Sequence, residues 1–354
     1  MAGGDMTDIT IEDMILPAIF SLASVMVIAY CVFRLCDVGS RRRFLRVFFS
    51  PTESQVIPWG IVAIVLSLLL FFLAEMVTQN VLNLILPNPI SFLYDENKEA
   101  DILPDTEVLD ETVADTSFDA NGESDSPLAN ENLAEQHTLV ILMQKGGQYP
   151  IVIVVCLLAA VVVAPLTEEL MFRVIMQCGI ESTFRRESGN TPLARRISIF
   201  LTALFFAAIH FRTQQSQIDI DLLFNGMIGM IIARPLALLL VVGLLRFHYR
   251  VRWADLGFRN FRLIGRDALG ALLLFLIIFV PIFTVHGTVF TLAKTDWAVQ
   301  HGISAAMLDP IPLFLFALVI GSLYYRTRRL VPVFFLHAFF NLYSFLVLLY
   351  LVFG

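Results

Sequence analysis

The feature that most constrains this chain is a succession of apolar runs, each about as long as a lipid bilayer is thick. A transmembrane helix needs ~20 mostly apolar residues. Inside lipid every backbone polar group must find its partner within the protein, so such runs fold as helices. Eight segments qualify or come close: Ile15–Phe33, Pro58–Leu86, Tyr149–Cys178, Ile197–Phe211, Leu222–Leu245, Ala268–Leu292, Ile311–Tyr325 and Val331–Phe353. The fourth and seventh are short. The third and eighth are long, which predicts tilt or extension into the headgroups. The expected fold is all-α, a polytopic transmembrane helical bundle of about eight spans. Composition agrees, at 57% hydrophobic and 16% charged residues against roughly 45–50% and 25% in soluble domains. A net charge of −7 argues against a nucleic-acid partner. The cysteines (Cys31, Cys36, Cys156, Cys178) lie in or beside apolar runs and read as small apolar residues, not as a disulfide scaffold.

Basic residues test the count, because Lys and Arg collect in cytoplasmic loops. Arg34, Arg41, Arg42, Arg43 and Arg46 follow span one, and Arg185, Arg186, Arg195 and Arg196 follow span three. Arg246, Arg250, Arg252, Arg259, Arg262 and Arg266 follow span five, and Arg326, Arg328 and Arg329 follow span seven. Every second loop is basic, so the pattern predicts an integral membrane protein, of the cell membrane, with both termini outside the cytoplasm. Asp5, Asp8, Glu12 and Asp13 precede the first span, where a removable signal sequence would carry basic residues.

The chain divides accordingly. Residues 1–14 form a short acidic tail and 15–87 the first two spans. Residues 88–148 form an acidic extracytoplasmic loop, rich in Asp and Glu from Asp95 to Glu135, with too little apolar content to fold alone. A core with two polar motifs covers 149–211, a helix pair joined by a basic loop covers 212–309, and a core with a third motif covers 310–354.

Ionisable residues inside spans are costly, so each is a functional candidate. Three groups stand out, each pairing residues four apart on one helix face. Glu168-Glu169-Leu170-Met171-Phe172-Arg173 lies in span three after Pro165. Glu169 and Arg173 are in the favourable order for an i,i+4 ion pair, which leaves Glu168 free to act as a general base or acid. Phe206 and His210 share a face of span four, and His337 and Asn341 share a face of span eight. One carboxylate, two imidazoles and an amide from three helices suit hydrolysis: the carboxylate activates water, one His orients it, and donors hold the developing oxyanion. The same set could bind zinc through Glu168, His210 and His337, or form a proton relay or hydrogen-bond network in a non-enzymatic transporter or scaffold. Glu75, Arg234 and His286 read as structural polar residues that find partners inside the bundle. Neither His-Glu-x-x-His nor a Gly-x-Ser-x-Gly elbow occurs.

The three motifs in this order, Glu168–Arg173, Phe206–His210 and His337–Asn341, resemble the CPBP family. This is the group of intramembrane endopeptidases that includes CAAX prenyl protease 2 and lysostaphin-resistance-protein-A-like members, also called Abi. The flanks Ala164-Pro165-Leu166-Thr167 and Gly321-Ser322-Leu323-Tyr324-Tyr325-Arg326-Thr327 resemble it too. The resemblance implies an endopeptidase acting on membrane-embedded or lipidated substrates. It implies that Glu168 is the catalytic carboxylate and that His210 helps it activate water. His337 and Asn341 would hold the scissile carbonyl and its oxyanion, with Glu169, Arg173 and Phe206 in support. The resemblance carries both a metalloprotease and a glutamate-dependent account; the glutamate mechanism without a cofactor is favoured over zinc because this sequence lacks a closely spaced ligand pair. The span pair before the third motif, with Leu256-Gly257-Phe258-Arg259 in its basic loop, reads as inserted or rearranged.

Overall fold

The computed structural model describes residues 11–36, 59–85, 150–211, 220–258, 261–293, 295 and 305–353. Most of the acidic tail, the whole 88–148 loop, Arg41–Arg46 and Arg259 lie outside the described residues. Eight long helices occupy the predicted places: α1 Ile11–Cys36, α2 Ile61–Ile85, α3 Pro150–Ser188, α4 Thr191–Ile209, α5 Ile220–Phe247, α6 Ile264–Ala293, α7 Pro310–Thr327 and α8 Leu330–Phe353. Seven of them are long and apolar enough to cross a membrane, and α1 adds the apolar stretch Ile19–Leu35. No strand occurs among the described residues.

α3 runs through the bundle and packs against α2, α4, α5, α7 and α8. Around it α2 lies along α5, α4 along α7, α6 along α8, and α1 against α6 and α7. Of the seven helices long and apolar enough to cross a membrane, α7 is the most enclosed and α2 the least. Lipid-facing apolar side chains such as Leu69, Leu84 and Val280 are exposed, as expected where the solvent is hydrocarbon.

Two segments of α3 are wound as π-helix, Leu158–Val163 and Leu170–Gln177, a form common at functional sites. Pro165 accounts for part of the first. In it the Ala164 N–H reaches back to the Ala159 carbonyl. One residue on in that register, the Ala160 carbonyl would take the N–H of residue 165, and proline has none. The third span also runs further than the apolar run suggested. α3 continues past Cys178 to Ser188, carrying Arg185 and Arg186 on helix and not in a loop. It ends at Gly189, whose φ of +66° suits a glycine C-cap. Asn190 then starts α4, its side chain accepting the Leu193 N–H at 3.1 Å, with Pro192 in the first turn.

The turn between α7 and α8 is two residues long, and both are buried arginines. Arg328 has a φ of +48°, a strained conformation for a residue with a side chain. Its guanidinium donates to Glu181 of α3 at 2.6 Å, and Arg329 pairs with Asp267 of α6. These arginines therefore do more than add to the pattern of basic loops. They tie the start of α8, and so the third motif, to α3 and α6. The basic loop after α5 closes on the same turn: Gly257, at φ +85°, accepts the Leu330 N–H at 3.1 Å.

Candidate active site

The polar residues of α3 are stacked four apart. Glu169, Arg173, Gln177 and Glu181 are all buried and form one column along the helix. The widened π turn, with its i→i+5 bonding, holds side chains four apart nearly in line through Leu170–Gln177. Glu169 Oε2 accepts from Arg173 Nε at 3.1 Å, and both side chains are 0% exposed. Gln177 Nε2 donates to the Gly321 carbonyl of α7 at 3.0 Å. A Cβ on Gly321 would lie 3.1 Å from Gln177 Oε1 and 3.5 Å from Arg173 Nη1, so glycine is what lets α7 approach the column.

The other two motif helices close on the top of this column. From α8, His337 Nδ1 is 2.8 Å from Glu169 Oε1. From α4, His210 Nδ1 is 2.7 Å from the Phe206 carbonyl of its own helix. A carboxylate and a carbonyl can only accept, so both rings carry their proton on Nδ1 and direct Nε2 elsewhere. Both Nε2 atoms face one oxygen: Glu168 Oε2 is 3.9 Å from His210 and 3.8 Å from His337. Phe206 fills the space behind, with its ring centroid 4.5 Å from that of His210 and 5.8 Å from that of His337. The Arg173 guanidinium lies over the same ring at 5.6 Å. Phe316 of α7 meets His337 edge-on at 5.6 Å.

The two glutamates thus divide as the i,i+4 argument requires. Glu169 is enclosed and doubly bonded. Glu168 is 17% exposed and makes only longer contacts. Asn341 stands apart from Glu168. Its Nδ2 donates to the Ala160 carbonyl at 2.8 Å, the acceptor that the π turn and Pro165 leave open. One amide N–H is committed there, and the other has no acceptor among the described residues.

Two charges that sequence reasoning set aside as structural join the site. Arg234 of α5 donates from Nε to Glu75 Oε1 of α2 at 3.2 Å, and its Nη1 lies 4.0 Å from Glu168 Oε1. They are 159 positions apart in the chain; Arg234 has only Met230 and Leu238 four residues away and Glu75 has the uncharged Gln79, so no local pattern linked them. The available signal was charge balance: one acid and one base, each within a mostly apolar span. His286 is 4.0 Å from Asp309 and takes no part in the site. Among the described residues no three His, Cys, Asp or Glu side chains gather as a metal-ligand set.

The bundle thus brings a reachable carboxylate against two imidazoles among apolar helices. Residues 150–258 match the family model described as Rce1-like, type II CAAX prenyl endopeptidase. The chain accordingly carries an Rce1-like region over residues 150–258, the family that its motifs resemble. The match begins at α3, takes in the first two motifs, crosses position 212 into α5 and ends at Phe258. No curated protein and no solved structure matches the chain.

Proposed function

We propose that the protein is a glutamate-dependent intramembrane endopeptidase that hydrolyses peptide bonds of membrane-embedded or lipidated substrates. The observation that carries this reading is the convergence of His210 Nε2 and His337 Nε2 on Oε2 of the half-buried Glu168. With both Nδ1 protons committed, the neutral imidazoles and the carboxylate present only acceptors to one another. A water seated among them would bring the protons that such acceptors lack. Glu168 then takes a proton from that water as it attacks the scissile carbonyl, and His210 holds the water in line. The proton passes from the Glu168 carboxyl to the leaving amine. The second N–H of Asn341 stabilises the oxyanion, and His337, oriented by Glu169, keeps its Nε2 directed at Glu168. Glu169, Arg173 and Phe206 hold the two histidines in place.

Alternating basic loops support an orientation with both termini and the acidic loop outside the cytoplasm. That places Arg328 and Arg329, and the far end of the buried column at Glu181, toward the cytoplasm. The test is cleavage of a membrane-anchored peptide by the purified protein. Glu168→Ala and His210→Ala abolish it under this reading, and activity that survives both changes overturns it. Full activity in excess chelator separates the glutamate mechanism from a zinc mechanism that uses the same side chains. Solute flux lost in these variants, with no cleavage by the wild type, would mark a transporter instead.

A further inference from the structure

Arg234 belongs to none of the three motifs, yet it is the cation nearest Glu168 that is not already paired with Glu169. The charged and titratable groups around Glu168 are few. Its own helix supplies Glu169 and Arg173, which are paired with each other. α4 supplies His210, α8 supplies His337 and α5 supplies Arg234. Behind Arg234 stands Glu75 of α2.

The two oxygens of Glu168 are assigned to different partners. Oε1 faces the Arg234 guanidinium at 4.0 Å, and Oε2 faces the two imidazoles at 3.8 and 3.9 Å. The terminal torsion of a glutamate is soft and roughly two-fold, so an unanchored carboxylate would sample other directions. Arg234 is itself anchored, because its Nε donates to Glu75 at 3.2 Å while Nη1 is left to face Glu168. A planar guanidinium suits this use, since its donors point in fixed directions.

We propose that Arg234, tethered by Glu75, is a positioning residue that holds Glu168 by Oε1 so that Oε2 stays directed at the two imidazoles. This rests on the endopeptidase reading of Glu168. It assigns α2 and α5, which carry none of the three motifs, a part in the reaction.

The experiment uses the full chain in proteoliposomes with a membrane-anchored peptide. It measures kcat and KM for the wild type, Glu168→Gln, Arg234→Gln, Arg234→Lys and Glu75→Gln, with thermal unfolding recorded in parallel. Arg234→Gln lowers kcat by about 10²-fold, the scale expected when a reacting group is misplaced by about an ångström, and leaves KM unchanged. Arg234→Lys recovers most of the loss. Glu75→Gln, which keeps the cation and removes its tether, falls in between, and it probes the same arrangement should Arg234→Gln fold poorly. An unchanged kcat in both Arg234→Gln and Glu75→Gln overturns the proposal. So does a rise in KM alone, which would make Arg234 a substrate-binding group. If the wild type does not cleave, or Glu168→Gln cleaves as well as the wild type, the endopeptidase reading falls and this inference falls with it.

Discussion

Replacing Glu169 with Gln isolates one charge in the column of α3. The Glu169 and Arg173 side chains are fully buried, 3.1 Å apart, and Arg173 Nη1 and Nη2 have no hydrogen-bond partner among the described residues. Glu169 is thus the main compensation for a buried cation. At this separation and an effective dielectric of about 20, the Coulomb attraction is about 5 kcal/mol. Removing one member of a buried pair costs about 3–5 kcal/mol, mostly because the other is left uncompensated. The glutamine keeps an oxygen that still accepts from His337 Nδ1, so the loss reports the charge and not the histidine contact. We expect Glu169→Gln to destabilise the protein by about 3–5 kcal/mol, read by equilibrium unfolding in mixed micelles. Adding Arg173→Met removes the stranded cation and restores much of that stability, since buried pairs exchanged for apolar groups are often neutral. A Glu169→Gln protein within about 1 kcal/mol of the wild type, or a double variant less stable than Glu169→Gln alone, would refute the reasoning.

Other consequences follow from the same geometry. Asn341→Leu leaves the Ala160 carbonyl unpaired and costs about 1–3 kcal/mol; in a Pro165→Ala background, which supplies the missing N–H, unfolding measurements should find a smaller cost. Gly179→Ala would set a methyl 2.6 Å from Ile64 Cδ1, an overpacking of about 1–3 kcal/mol. Combining it with Ile64→Ala should cost less than the sum of the two single changes. Gly257→Ala meets the Leu330 backbone nitrogen at 2.7 Å from a φ of +85°. It should release the basic loop from the α7–α8 turn and speed tryptic cleavage at the exposed Arg252.

How much of this could be read from the sequence depended on whether the signal was local. The apolar runs gave the helices because lipid leaves the backbone no other way to pair. Each motif was legible because its two members sit four apart on one helix, and the i,i+4 order already separated Glu169, paired with Arg173, from Glu168. The convergence of the three motifs on one carboxylate oxygen was not local, and it rested on the family resemblance until the packing of α3, α4 and α8 showed it. Glu75 and Arg234 escaped because each looks like a stray polar residue until α2 is laid along α5. Arg328 and Arg329 were read only as markers of sidedness, since nothing nearby in the chain announces Glu181 or Asp267 as partners. The first π turn had one visible cause, Pro165, whose missing N–H also explains why Asn341 finds an open carbonyl.

The most direct test of the central claim compares Glu168→Gln with the wild type on a membrane-anchored peptide, in excess chelator and under single-turnover conditions. The account predicts that the wild type keeps its full rate without metal. It predicts that Glu168→Gln, which keeps the shape and loses the base, falls by about 10²–10⁴-fold. A Glu168→Gln enzyme that cleaves at the wild-type rate, or a wild type silenced by the chelator and restored by zinc, would contradict it.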